Sequence, residues 1–382
     1  AFLHNTSIFD VRLNMPATEQ IENLDGLNVY SLAAALVYSS ANQFQNAPIQ
    51  MRTALSMVTD ASDVLSVLLA GNHSVIAGRL VGAFRNIGRD LIADNILKGM
   101  QAADLKMQED DPFAEKVQIS FGRRDVSPYV NRMRLMWAQM RENVIAHFPS
   151  PSGKGINIET YMAEVEEKYV SDAYHSLSIE GYRVTRELIE LVRSGSWRAD
   201  ESDGHKKHLD AMAAKGYWDA FQEVKKAVLA VLEGNNPGDL LEQAHSDWYL
   251  ALFGPGVAAG IVRQADLAGY RSGPVYIRQS MHIPPGREAV REMMPALFDL
   301  LAEEENAAVR VVLGHFIFVY IHPYFDGNGR MGRFIMNLMM ASGGYPWTIV
   351  PVERRDEYMQ ALEAASVKQD IVPFTQFLAS LL

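Results

Sequence analysis

Cysteine is absent from the 382-residue chain, which excludes disulfides and cysteine-ligated zinc. Its absence fits a reducing compartment, and cytoplasmic is the expected localisation. No apolar run approaches the roughly 18 residues that suggest a membrane span, so no membrane partner is expected. The start, Ala1-Phe2-Leu3-His4-Asn5, lacks the basic patch and apolar stretch of a signal peptide, and it also lacks an initiator Met. Basic residues are outnumbered, 35 against 46 acidic, for a net charge of −11. That balance disfavours general nucleic-acid binding. A helix-turn-helix over 72–102 would need a basic helix, and none is evident. No repeat of fixed period occurs. The 48% apolar and 21% charged residues that remain are those of an ordinary globular protein with substantial cores.

The coarse pattern is mainly helical. Residues 50–105 read as helices over Met51–Leu69, Ser74–Ile87 and Asp90–Ala102, broken at Gly71-Asn72-His73 and Gly88. The acidic stretch Gln108-Glu109-Asp110-Asp111-Pro112 reads as a boundary, so 1–112 is expected to be one helical domain and 113–382 another. Glu115–Phe121 alternates as a short strand would, and 127–147 forms a long helix. Helices dominate from 157 onwards.

The densest chemistry lies in Ile321-His322-Pro323-Tyr324-Phe325-Asp326-Gly327-Asn328-Gly329-Arg330-Met331-Gly332-Arg333. Val309, Val312, Leu313, Phe316, Ile317, Tyr320 and Ile321 recur at helical intervals before it, so a buried helix leads in. Pro323 disfavours helical geometry at His322 and leaves the imidazole at a loop mouth. A second apolar helix begins near Asn328 and runs through Phe334, Ile335, Leu338 and Met339. The loop thus feeds a helix N-terminus, where free N–H groups and the dipole favour an anion such as phosphate. Gly327 and Gly329 let backbone approach a ligand. Arg330 and Arg333 place two permanent cations in the first turn, unfavourable there without an anion. Asp326 is a carboxylate of the kind magnesium takes alongside phosphates. Gly327-x-Gly329-x-x-Gly332 also satisfies a dinucleotide-binding pattern, but that reading requires a preceding strand, and here a helix precedes.

This string resembles the signature of the Fic family, His-Pro-Phe-x-(Asp/Glu)-Gly-Asn-Gly-Arg-x-x-Arg, with Tyr324 in place of the usual Phe. The resemblance covers roughly 157–382. It implies a mainly α fold, a helical Fic core with a small β-hairpin flap, beside the mostly helical N-terminal region. It further implies a protein adenylyltransferase that moves AMP from ATP, with magnesium, onto a Ser, Thr or Tyr hydroxyl of a target protein. His322 would be the general base and Asp326 the magnesium ligand. Gly327, Asn328, Gly329, Arg330 and Arg333 would contact the nucleotide, as would Asn337 downstream. Val275 and Ile277, in a flap around 273–285, would dock the target by strand pairing.

A second motif, Ser176-Leu177-Ser178-Ile179-Glu180-Gly181, resembles the family's inhibitory pattern, (Ser/Thr)-x-x-x-Glu-(Gly/Asn). The resemblance implies an inhibitory helix around 172–181, with Ser176, Glu180 and Gly181 as its key residues and Glu180 paired to Arg333. Three alternatives stay open: an enzyme that removes AMP, transfer of another nucleotide, and a silent nucleotide-binding regulatory protein. The N-terminal block could recognise a target, brace the inhibitory helix or mediate a homodimer.

Overall fold

The computed structural model describes residues 16–24, 26–58, 61–103, 105–113, 127–151, 157–197, 205–261, 270–271 and 273–382. The strand expected over 115–121 lies outside the described residues. Two compact units emerge, Ala1–Gln139 and Met140–Leu382.

The first unit opens with an antiparallel hairpin, β1 (Ile21–Leu24) and β2 (Leu27–Tyr30), in which Ile21 faces Tyr30 and Leu24 faces Leu27. Helices α1 (Leu32–Tyr38), α2 (Ala41–Asn46), α3 (Pro48–Ser56), α4 (Ser62–Ala70), α5 (Ser74–Asn86) and α6 (Asp90–Ala102) follow. The helix expected over Met51–Leu69 is therefore two. Val58, just beyond the first of them, is β-branched and a weaker helix former. Leu36, Phe44, Leu55, Leu68, Leu80, Phe84 and Ile96 share one core. At its edge the buried Arg52 guanidinium lies 4.1 Å over the Phe113 ring and donates to Asn86.

Helix α7 (Pro128–His147) runs across the division between the units. The second unit then contains α8 (Ile158–Ile179), α9 (Arg186–Arg193), α10 (His205–Leu232), α11 (Pro237–Ala258), α12 (Arg287–Glu303), α13 (Ala307–Ile321), α14 (Asn328–Ser342), α15 (Arg355–Lys368) and α16 (Val372–Ala379). The mainly helical architecture is the expected one. Almost every residue of α13 and α14 is buried, as a helix with apolar residues on all sides requires. These two helices form the centre, and α8, α10, α11, α12 and α15 pack around them. No described helix is long and apolar enough to cross a membrane.

The flap is expected over 273–285. Burial alternates from Gly273 to Arg278, with Val275 and Ile277 half-buried and Tyr276 exposed, the periodicity of a strand. Ser280 N donates to Ile277 O across a turn in which Gln279 takes a φ of 63°. No strand ladder forms there: the described residues contain only the β1–β2 pair. Pro274, Pro284 and Pro285 remove main-chain donors that a ladder needs.

Helices α10 and α11 approach closely at Gly216, where an added Cβ would lie 2.0 Å from the Leu252 carbonyl oxygen. Gly216→Ala should push these helices apart and cost about 1–3 kcal/mol. A melting temperature within a degree or so of wild type would contradict that close approach.

Candidate active site

Helix α13 ends as Pro323 requires. His322 caps it in the left-handed region, φ 52° and ψ 59°, with its N–H on Phe318 O. A non-glycine residue pays for that conformation, and the gain is an imidazole turned out of the helix path. Nδ1 is fully buried. Burial, opposed by the Val319 carbonyl, and then the Arg271 and His282 charges push its pKa down to about 4. The imidazole is therefore neutral, able to accept a proton, across the physiological range.

The loop after it is tied internally. Asn328 is buried, donates from Nδ2 to Tyr324 O (2.8 Å) and accepts at Oδ1 from Tyr324 N (3.0 Å). The Tyr324 ring stacks on Tyr249 with centroids 3.9 Å apart. Gly327 takes a φ of +84°, and a Cβ there would collide with Phe253 at 2.8 Å. Asp326 stays largely exposed, with Oδ1 accepting from Gly327 N and Oδ2 accepting from Arg330 Nη2 at 3.2 Å.

The two cations of α14 are both buried. Arg330 lies between aromatic faces, 5.3 Å from the Tyr182 ring and 4.9 Å from Phe253. Arg333 donates from Nε to Ser176 Oγ (2.8 Å), and from Nη2 to Ser176 O (3.0 Å) and Glu180 Oε1 (2.7 Å). Burial works most strongly against the Arg333 charge, but Glu180, Tyr358 and Tyr217 together hold its pKa above the usual arginine range. Nη1 is buried and finds no partner among the described residues.

Glu180 reaches this place because α8 stops there. Gly181, at φ +90°, turns the chain, and Tyr182 N bonds back to Leu177 O. A Cβ on Gly329 would sit 2.2 Å from Glu180 Oε1 and 3.2 Å from Arg333 Nη1. The carboxylate thus lies directly over the N-terminal turn of α14, the position the sequence reserves for an anion.

Two of the residues expected at the nucleotide already have main-chain partners. Asn328 commits both ends of its amide to Tyr324 and closes the loop. Asn337, equally buried, commits both ends to Thr348, donating to its O at 3.0 Å and accepting from its N at 2.8 Å. Each Nδ2 keeps a second N–H beyond its main-chain partner, so the pairing fixes the orientation of the amide without using up its donors. Spacing alone also missed several groups around Arg333. Asp172 is buried and accepts from Tyr217 (2.8 Å). Burial, partly offset by Tyr217 and Arg333, raises its pKa to about 6. His315, on α13, pairs through Nε2 with Tyr358 (2.7 Å).

The site thus gathers a helix N-terminus, two buried guanidiniums, a neutral imidazole and one exposed carboxylate. Residues 239–340 match the profile of the Fic/DOC family, and the chain carries a Fic domain. It is 29% identical over 220 residues to a protein of Drosophila willistoni named protein adenylyltransferase Fic, covering 56% of this chain and 40% of that one. A protein of Nematostella vectensis with the same name is 27% identical over 219 residues, covering 56% and 47%. The chain thus spans less than half the length of these curated relatives. Among solved structures, Fic-1 (residues 134–508) of Caenorhabditis elegans aligns at a TM-score of 0.48 and 18% identity, over 92% of this chain and 94% of that one.

Because the folded pKa of His322 lies below its unfolded value, protonation favours unfolding, and its contribution to stability falls as pH drops below about 6.5. Followed by NMR, the His322 ring should show no titration above about pH 5. A midpoint near that of a free imidazole would remove the buried neutral base.

Proposed function

We propose that this chain transfers AMP from ATP to a hydroxyl of a target protein and that Glu180 restrains the reaction. The observation that carries the reading is the Glu180 carboxylate on Arg333, over the first turn of α14 and beside Gly329. An intramolecular anion there supports a site built for an extrinsic one.

In this reading a Ser, Thr or Tyr hydroxyl of the target approaches His322. Nδ1 is buried, so Nε2 is the nitrogen that accepts the hydroxyl proton. The freed oxygen forms a bond to the α-phosphorus of ATP, the bond from that phosphorus to the bridging oxygen breaks, and diphosphate leaves. Arg330 and Arg333 neutralise the departing charge, and the amides at the start of α14 face the phosphoryl oxygens. Arg333 Nη1, without a partner, is available to the phosphate. Among the described residues no three His, Asp or Glu side chains gather as a metal site. Asp326 alone fits magnesium only in the mode in which phosphates complete its shell. When bound, the ion would neutralise phosphate charge.

Restraint follows from occupancy. Glu180 and a terminal phosphate compete for Arg333, so ATP enters unimpeded only when the glutamate leaves. The relatives named protein adenylyltransferase support the chemistry.

With ATP labelled at the α-phosphate, Glu180→Gly should incorporate label into itself or into lysate proteins at least about tenfold faster than wild type, a difference near 1.4 kcal/mol. Adding His322→Ala to that variant should abolish the signal. Equal incorporation from ATP labelled at the γ-phosphate would show phosphate transfer and remove the adenylyl assignment.

A further inference from the structure

Arg271 is absent from the motif, yet it is 1% exposed, and no carboxylate pairs with it among the described residues. A buried guanidinium usually demands one. Here main-chain carbonyls take its place. Nε donates to His322 O at 2.7 Å and Nη1 to Gly273 O at 3.0 Å. Nη2 donates to Pro285 O and, at 3.4 Å, to Ile321 O. Its own N–H donates to Pro323 O at 2.9 Å.

These acceptors are not a random set. Ile321 and His322 carry carbonyls at the C-terminal end of α13, where the helix dipole favours a cation. Gly273 and Pro285 are the two feet of the 273–285 loop. The loop has no strand ladder to fix its width, so the separation of its feet depends on this one side chain. Elsewhere it is held by side chains too. Glu363 accepts from Ser280 Oγ at 2.5 Å and from Met281 N at 2.7 Å, and His282 Nε2 lies 2.8 Å from Tyr320 O. Arg271 ties the loop to the main chain of His322, the residue held in a left-handed conformation.

We propose that Arg271 is the positioning residue that sets the target-docking loop at a fixed distance from the His322 imidazole. It touches neither ATP nor target. It holds both feet of the loop and the strained carbonyl of the base in one planar fork, a geometry lysine cannot reproduce. The proposal rests on the adenylyl-transfer reading for its effect on rate, but not for its effect on the loop.

The test compares Glu180→Gly with Glu180→Gly carrying Arg271→Lys, both as full chains. Affinity for ATP with magnesium should stay within about twofold, because Arg330, Arg333 and Asp326 are untouched. Incorporation of label should fall about a hundredfold, as an ångström-scale misplacement does. Amide hydrogen exchange across 275–283 should quicken about tenfold or more with little change in α14. Unchanged exchange in the loop, or ATP affinity lost in step with rate, would overturn the proposal. If Glu180→Gly itself incorporates no label, the adenylyl reading fails and the exchange comparison still decides Arg271. Should the lysine variant not fold, the unmutated chain decides. Protection of the Arg271 Nε–H about tenfold above an exposed arginine supports the clamp, and free exchange overturns it.

Discussion

The Arg333–Glu180 pair governs the rest of the site. Two guanidiniums at the N-terminal turn of a buried helix add positive charge to the positive end of a dipole. A buried guanidinium without a counter-charge is costly, so the resting site calls for an anion beside Arg333. In this structure Glu180 supplies it at 2.7 Å. The end of α8 at Gly181, the missing side chain at Gly329 and the hydroxyl of Ser176 all follow from that requirement. Glycine at 329 is needed twice over, since a methyl there would strike the carboxylate and crowd Nη1.

The polar residues behind the pair extend the same logic. Asp172 is buried within reach of the Arg333 field, bonded to Tyr217. Tyr358, also buried, feels both Arg333 and Glu180 and bonds to His315. A buried carboxyl whose pKa lies near 6 is costly to ionise and would be replaced by an apolar residue in a simple core. Beside Arg333 it offers a second, weaker counter-charge. Burial and Arg333 together push His315 down to about 3, so it stays neutral and adds no further positive charge to the centre.

Sequence made the loop legible because its chemistry is local. Pro323 stops a helix, glycines open backbone, and arginines three apart share a helical face, whatever the surrounding fold. The seven apolar positions leading into His322 are all buried. Reach across the chain was legible only where a resemblance supplied it, as with Ser176 and Glu180, more than 150 positions from Arg333. The main-chain pairing of Asn328 and Asn337 was not legible for a physical reason. An amide N–H can donate to a phosphate or a carbonyl and its oxygen can accept from a main-chain N–H or bind a metal, and spacing does not choose among them. The 273–285 segment has the burial alternation of a strand but not the pairing, since period two reports which face is buried and prolines decide whether a ladder forms. Arg271 carried no signal at all, because its partners are carbonyls, which every residue has.

On the proposed reading, the asymmetry within the pair decides how release can occur. Arg333 is 3% exposed and keeps two bonds to Ser176 when Glu180 departs, whereas the Glu180 side chain is 23% exposed at the rim. The glutamate can swing to water by rotation of its own side chain, with α8 left in place and the core closed. A phosphate arriving at Nη1 and Nη2 then meets a guanidinium already oriented, so little ordering cost is charged against binding. What ATP must overcome is the free energy of one carboxylate–guanidinium contact, partly solvated at the acid end. An opening of the helical core would be far too large a barrier for a ligand to shift, while a single rim contact lies within its differential affinity.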